Sequence, residues 1–420
     1  MTGPAAAPPE AAAARPAAQQ AAPQSDLRTP LQVAQLASSR WALLFGNFAI
    51  GCGVMVTAGA LNDLVHSLRV SVAVGGQLIT IAAVVMALGA PLLAAVVAGF
   101  DRRRLLALAL LWFALGHALS ACMSDFYALA GARALAVLGA AVFTPQAAAA
   151  ISVMAPPAQR GRAITFIFLG WSVASVLGMP MSAWVGEVWG WRWAFAAVAL
   201  LSALAALWVW RALPDGVRPA ALTRAQWAQV VTHPALMAVV AVTALSAAGQ
   251  FTLFAYLAPY YRQVLGASPQ TISALFLGFG AIGVVSNVLL SRHIDRLGAG
   301  RAVSWLLVSI ALSMALWPLA GSVAAMAWVM APWALGCFAS NSAQQARLGL
   351  AAPVLAPALI ALNSSAMYVG QALGASSGGV ILGERGLNAL PWAGLAWLAA
   401  AIAVSVWAQR RMAAGGAAKP

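Results

Sequence analysis

The sequence predicts an all-α membrane protein with twelve transmembrane helices in two six-helix halves. Three observations carry that reading. First, 63% of the 420 residues are hydrophobic and 8% are charged, where a soluble domain carries roughly 25% charged residues. With a mean hydropathy of +0.87, the chain has too little charge to cover a water-facing surface. Second, the apolar residues collect in runs such as 80–97, 105–121, 195–210 and 395–407, and a helix crosses a ~30 Å hydrocarbon core in about 20 residues. Third, the arginines between the runs are sorted by side. Arg102, Arg103, Arg104, Arg160, Arg162, Arg211, Arg218, Arg224, Arg292, Arg296, Arg301, Arg347, Arg410 and Arg411 alternate with only Arg69, Arg192, Arg262 and Arg385 on the opposite face.

The expected spans of the first half are 41–61, 72–98, 104–122, 126–152, 163–185 and 193–212. Those of the second are 236–258, 269–291, 302–320, 323–346, 357–381 and 389–409. Basic residues in short loops stay cytoplasmic, so both termini are expected inside. Residues 1–39, rich in Ala, Pro and Gln, read as a disordered cytoplasmic tail rather than a signal peptide. Bundles over 40–212 and 236–409 are then joined by a cytoplasmic linker over 213–235, marked by Pro214, Pro219 and Pro234, with a short tail over 410–420. Trp41, Trp189, Trp191, Trp193, Trp210, Trp392 and Trp407 fall near span ends, as an interfacial belt requires. The net charge of +14 is therefore topology, and no nucleic acid is expected as a partner. Cys52, Cys122 and Cys337 lie in or beside apolar runs and imply no disulfide framework. Lys419 is the lone lysine in an Ala-rich, Arg-rich chain, a composition that suggests a bacterial inner membrane.

The halves echo one another. A basic loop follows the second span of each, Asp101-Arg102-Arg103-Arg104 in the first and Asp295-Arg296-Leu297-Gly298 in the second. Paired repeats with a site near the midplane are an established transporter plan. At these loops the sequence resembles the major facilitator superfamily, most closely its drug and sugar efflux branch of arabinose-efflux-permease-like proteins. The stretch from Gly249-Gln250-Phe251 to Pro259-Tyr260 carries that resemblance, with Gly278, Gly280, Gly283, Asn287, Gly178-Met179-Pro180, Gly190-Trp191-Arg192 and Asn363-Ser364-Ser365. Three departures stand out. Ala98 occupies the place where the family's first loop motif has its acid, and Gly51-Cys52-Gly53 stands where many proton-driven relatives carry one. Val137 also replaces the first glycine of the fourth-span motif, which keeps Arg133 and Gly139.

Arg133 is the clear intramembrane charge, and such charges pair or face a cavity. It reads either as a substrate or coupling residue or as a structural arginine held by carbonyls. Asp63 and His66, just past the first span, are candidates for proton coupling, with a solvated loop as the rival; His117 reads as polar packing. Asp295, Arg296, Gly298 and Arg301, with Arg102 and Arg103 in the first copy, are expected to govern conformational switching. For the pocket, the polar and aromatic residues within spans are Asn47, Gln146, Trp171, Gln250, Tyr256, Asn341, Gln344, Asn363, Tyr368 and Gln371. Each one alone reads equally as a helix–helix hydrogen bond, but as a set they describe an uncharged or amphipathic substrate. Gly278-x-Gly280-x-x-Gly283 has dinucleotide-fingerprint spacing but lies inside an apolar run, where it serves close packing. No metal cluster, cofactor motif, phosphate-binding loop or nucleophile–base pair emerges. The expected partners are a small-molecule substrate, the bilayer and protons. The expected activity is secondary export by a monomer; an importer and a non-transporting sensor of the same architecture are its rivals.

Overall fold

The computed structural model describes residues 3, 30–70, 72–219 and 223–417. Among them there is no strand. The α-helices in order are α1 (Pro30–Gly59), α2 (Leu61–Leu68), α3 (Val72–Val96), α4 (Arg102–Ala121), α5 (Phe126–Met154), α6 (Arg160–Trp189), α7 (Trp191–Ala212) and α8 (Arg224–Thr232). They continue with α9 (Pro234–Phe254), α10 (Leu257–Gln263), α11 (Pro269–Leu297), α12 (Ala299–Leu316), α13 (Val323–Val329), α14 (Ala331–Ala351), α15 (Ala356–Arg385) and α16 (Leu390–Ala417). Among the described residues, eleven stretches are long and apolar enough to cross a membrane. The 30-residue α15 is long enough, but Asn363, Ser364, Ser365, Gln371, Ser376 and Ser377 dilute its apolar character.

Helix ends follow local chemistry. The Asp101 carboxylate accepts the Arg104 N–H at the start of α4, and Asp125 accepts those of Tyr127 and Ala128 at the start of α5. Thr223 and Gln226 form a capping box on α8. Two expectations need correcting here. The tail assigned to 1–39 is helical from Pro30 onwards, because a proline at the first helical position loses no backbone bond and good helix formers follow it. The rest of the tail, apart from Gly3, lies outside the described residues. Arg347, expected in a cytoplasmic loop, is instead 4% exposed inside α14, which runs on to Ala351.

The packing shows the internal repeat in physical form. The α1–α6 seam and the α9–α15 seam both depend on absent side chains. A Cβ on Gly170 would lie 2.2 Å from the Leu44 carbonyl oxygen, and one on Gly370 would lie 2.2 Å from that of Ala244. Gly178 against Cys52 and Gly378 against Thr252 repeat the same approach two turns on. Hydrogen bonds repeat too. Trp112 donates to the Leu135 carbonyl between α4 and α5, and Ser309 donates to that of Pro332 between α12 and α14. Helices α1 and α3–α7 pack together, as do α9, α11, α12 and α14–α16; α6 against α11 and α14, and α3 against α15, join the two groups.

Candidate functional site

The second helix group holds a narrow cleft with a cavity volume of about 30 Å³, room for one or two water molecules. Thr243, Ser246 and Gln250 reach it from one face of α9, at the spacing i, i+3, i+7. Cys337, Ser340, Asn341 and Gln344 reach it from α14, Met367 from α15, and Val303 and Leu307 from α12. Its chemistry is that of neutral amides and hydroxyls. Thr243 donates to Asn363 Oδ1 at 2.5 Å, and the Asn363 amide nitrogen is buried without a partner. Gln344 donates to the Val239 carbonyl at 2.6 Å, which leaves its Oε1 without a donor; Asn341 Oδ1 is also orphaned. Gln250 donates to Ser246 and accepts from Trp333 Nε1 at 3.0 Å, which ties the cleft to an aromatic cluster of Phe254, Phe279 and Trp317. Buried polar atoms are almost always bonded, so the free acceptors of Asn341 and Gln344 on the cleft, with the Asn363 amide nitrogen behind it, make it a candidate ligand site.

Of the sequence candidates, Gln250, Asn341 and Gln344 line this cleft and Asn363 supports it. Gln371 is half-buried on the α15 face of Asn363 and Met367, and Tyr368 is half-buried beside it. Tyr256 lies apart, past the end of α9, where its hydroxyl donates to the Ala375 carbonyl. In the first helix group Asn47 is bonded through both amide atoms, donating to the Ile167 carbonyl and accepting from Thr144. Gln146 is 1% exposed with neither amide atom bonded, and the Trp171 indole nitrogen is likewise unpartnered. Thr243, Ser246, Ser340 and Met367 were missed, although the α9 spacing was there to be read.

Arg133 sits elsewhere. It is fully buried between α1, α4 and α7, donating to the Gly53 and Val54 carbonyls at 2.8 and 3.0 Å and to His117 Nε2 at 3.0 Å. That contact makes Nε2 the acceptor, so the His117 proton is on Nδ1 and points to the Phe113 carbonyl. The arginine is brought together with a histidine and two backbone carbonyls, not with the cleft. Asp63 is not in a solvated loop either: from α2 it accepts the Trp191 N–H at 2.6 Å, capping α7. His66 is exposed beside it.

The two helix groups meet at the arginine-rich end. Asp295 of α11 accepts the Arg162 N–H at 3.2 and 3.3 Å, so a carboxylate of one group faces the positive end of α6 in the other. Gly161 leaves room for it: a Cβ there would lie 2.5 Å from Asp295 Oδ1. Ser291 donates to the Arg162 carbonyl, Asn287 donates to Ser172 at 2.7 Å, and Ser365 donates to the Ala87 carbonyl. Gly298 ends α11 at φ +80, a conformation that favours glycine; Arg296 and Arg301 are exposed around it. Arg102 and Arg103 serve their own group. Arg102 donates to the carbonyls of Val97, Ala98 and Phe100, and Arg103 pairs with Asp215 at 2.6 Å beside Trp210.

A family model described as Major Facilitator Superfamily matches residues 43–375. The chain belongs to the major facilitator superfamily. This major facilitator protein is 27% identical over 369 residues to the uncharacterized MFS-type transporter YbcL of Bacillus subtilis, covering 87% of this chain and 94% of that one. It is 27% identical over 343 residues to a probable sugar efflux transporter of Helicobacter pylori, covering 81% and 87%. Among solved structures, the proton:xylose symporter XylE bound to 6-bromo-6-deoxy-D-glucose superposes with a TM-score of 0.72 at 15% identity, covering 88% of this chain and 95% of that one. That likeness is one of fold. The chain is therefore a multi-pass membrane transporter, not an enzyme.

In this transporter the Asp295 contact bridges the helix groups at one end, as a lock would. A carboxylate at a helix N-terminus contributes about 0.3–1 kcal/mol. Asp295→Asn is thus expected to raise the population opened at the arginine-rich end roughly two- to fivefold. Single-molecule fluorescence distances across that end would measure it. An unchanged distribution would leave the lock without support.

Proposed function

We propose that this protein exports a small, uncharged, hydroxyl-rich compound across the bacterial inner membrane by alternating access, driven by a proton gradient. The observation that carries the substrate class is the cleft between α9, α12, α14 and α15, whose free Asn341 Oδ1 and Gln344 Oε1 lie beside the hydroxyls of Thr243, Ser246 and Ser340, a lining that matches groups that donate and accept at once. A hydroxyl does both, and no charged side chain lines the cleft. Outward direction rests on the relative named as a sugar efflux transporter. A proton gradient is the proposed drive on the family resemblance alone.

In this reading α15, packed on α9 and α3, is the twelfth span. The bundles are 40–212 and 236–409, joined through 213–235, and both ends of the chain are cytoplasmic. Opening and closing of the arginine-rich end then alternates access, with Asp295 on the closed side. The decisive experiment is flux of labelled monosaccharides and polyols in proteoliposomes, with and without a pH gradient. Gradient-dependent accumulation of a neutral polyol is expected. Movement of organic anions but no neutral compound, from well-folded protein, would overturn the substrate class; gradient-independent accumulation would overturn the drive.

A further inference from the structure

Pro91 lies inside α3, near its end at Val96. A proline has no N–H, so the carbonyl four residues before it loses its helical donor. That carbonyl belongs to Ala87. It accepts instead the Ser365 hydroxyl of α15, a donor supplied by the other helix group. The bond lies about two and a half turns in from the arginine-rich end on both helices, since Ala87 precedes Val96 by as many residues as Ser365 follows Ala356.

Two further observations set this bond apart from ordinary packing. Asn363 and Met367, the α15 residues at the cleft, stand two positions to either side of Ser365. Two helical positions are about 200° of rotation, so the serine faces away from the cleft and towards α3. The α3–α15 seam also has no carboxylate to match Asp295, which ties α11 to α6. The first copy of that loop has Ala98 in the acid's place, and its Asp101 accepts the N–H groups of Arg104 and Gly216. Helix α3 carries no acid, and the single acid of α15, Glu384, is at the far end.

We propose, on the alternating-access reading that this step requires, that Ser365 is a positioning residue of the transport cycle. It caps the carbonyl that Pro91 frees, and so holds α3 to α15 only while the arginine-rich end is closed. When the seam opens, hydroxyl and carbonyl both turn to water and both are satisfied there. Without the hydroxyl, the closed arrangement alone keeps a half-buried carbonyl lacking a partner, which costs more than losing an ordinary bond. Pro91 is what makes the closed end depend on Ser365. A residue with an N–H at that position would satisfy the carbonyl in either arrangement.

The test is the distance distribution across the seam, read by electron–electron double resonance on the full chain in lipid nanodiscs. Spin labels go on Val96→Cys and Val354→Cys, both exposed positions at the arginine-rich end, in a Cys122→Ser, Cys337→Ser background. Ser365→Ala is expected to raise the ratio of open to closed distances about two- to tenfold. Ser365→Thr keeps the hydroxyl and is expected to stay near the parent ratio. In a Pro91→Ala background the same Ser365→Ala step is expected to change the ratio by less than about twofold. Ser364→Ala removes a hydroxyl bonded to the Ile360 carbonyl of its own helix and is expected to change nothing. Two distances whose ratio is the same in Ser365→Ala as in the parent would overturn the cap and leave alternation standing. An equal shift with and without Pro91 would also overturn it, by making Ser365 a packing residue. One fixed distance in every variant, Asp295→Asn included, would overturn alternation and the cap with it. Ser365→Ala against Ser365→Thr decides the case even if Pro91→Ala does not fold.

Discussion

Gly170→Ala is expected to lower the melting temperature in detergent by about 1–5 °C, and Gly370→Ala by a similar amount. The added carbon would lie 2.2 Å from a backbone carbonyl oxygen in each case, and at Gly170 also 2.7 Å from the Phe48 nitrogen. A carbon and a carbonyl oxygen in contact sit about 3.3–3.6 Å apart, so each seam must open by roughly 1 Å. No rotamer can relieve it, because the obstructing atoms are main chain. Overpacking of this kind costs about 1–3 kcal/mol. The usual gain of ~0.5–1 kcal/mol for Gly→Ala in a helix offsets only part of that. Gly278→Ala and Gly383→Ala supply the control: both glycines are helical and have nothing within 4 Å, so those variants are expected to melt at or slightly above the parent temperature. Combining Gly170→Leu with Gly370→Leu is expected to leave no monodisperse protein. If Gly170→Ala and Gly278→Ala melt together, the close approach of α1 and α6 is not what holds that half.

Much of this architecture is legible before any coordinates. Sparse charge, apolar runs and sorted arginines identify a polytopic helical protein because the bilayer leaves few alternatives. Asp295 and Gly298 stand out because a charge and a turn glycine are rare signals in an apolar background. The pocket was only half legible, for a physical reason. In a soluble helix an apolar stripe marks the inner face, but a span is apolar on both its lipid face and its packed face. Sequence therefore cannot say which of Asn47, Tyr256 and Gln344 turns towards an opening. Asn47 and Tyr256 prove bonded across helix seams, whereas Gln344 keeps a free oxygen. Arg133 was visible as a buried charge, yet its partners are mainly backbone carbonyls, which no sequence pattern encodes. Asp63 looked solvated because the N–H it caps belongs to Trp191, 128 positions away.

The free oxygens give a prediction that separates a binding site from ordinary packing. Replacing a half-satisfied buried amide by an apolar group of similar shape is nearly neutral or stabilising, because the desolvated orphan atom goes with it. Asn341→Leu is therefore expected to melt at or above the parent temperature. If the cleft holds the substrate, the same change removes the acceptor that a ligand hydroxyl needs, and affinity falls about 10–100-fold, since each 1.4 kcal/mol is tenfold. Gln344→Leu should follow the same pattern with some loss of stability, because it also gives up the 2.6 Å bond to the Val239 carbonyl. Asn47→Leu should do the reverse. Both its amide atoms are bonded between α1, α5 and α6, so the change orphans Thr144 and costs about 1–3 kcal/mol of stability, with affinity intact in the protein that folds. Thermal unfolding and the substrate concentration at half-maximal flux, measured on the three variants together, distinguish the cases. Stability and affinity falling together in Asn341→Leu would make its amide a packing element, and the cleft between α9 and α14 would lose its claim to the substrate.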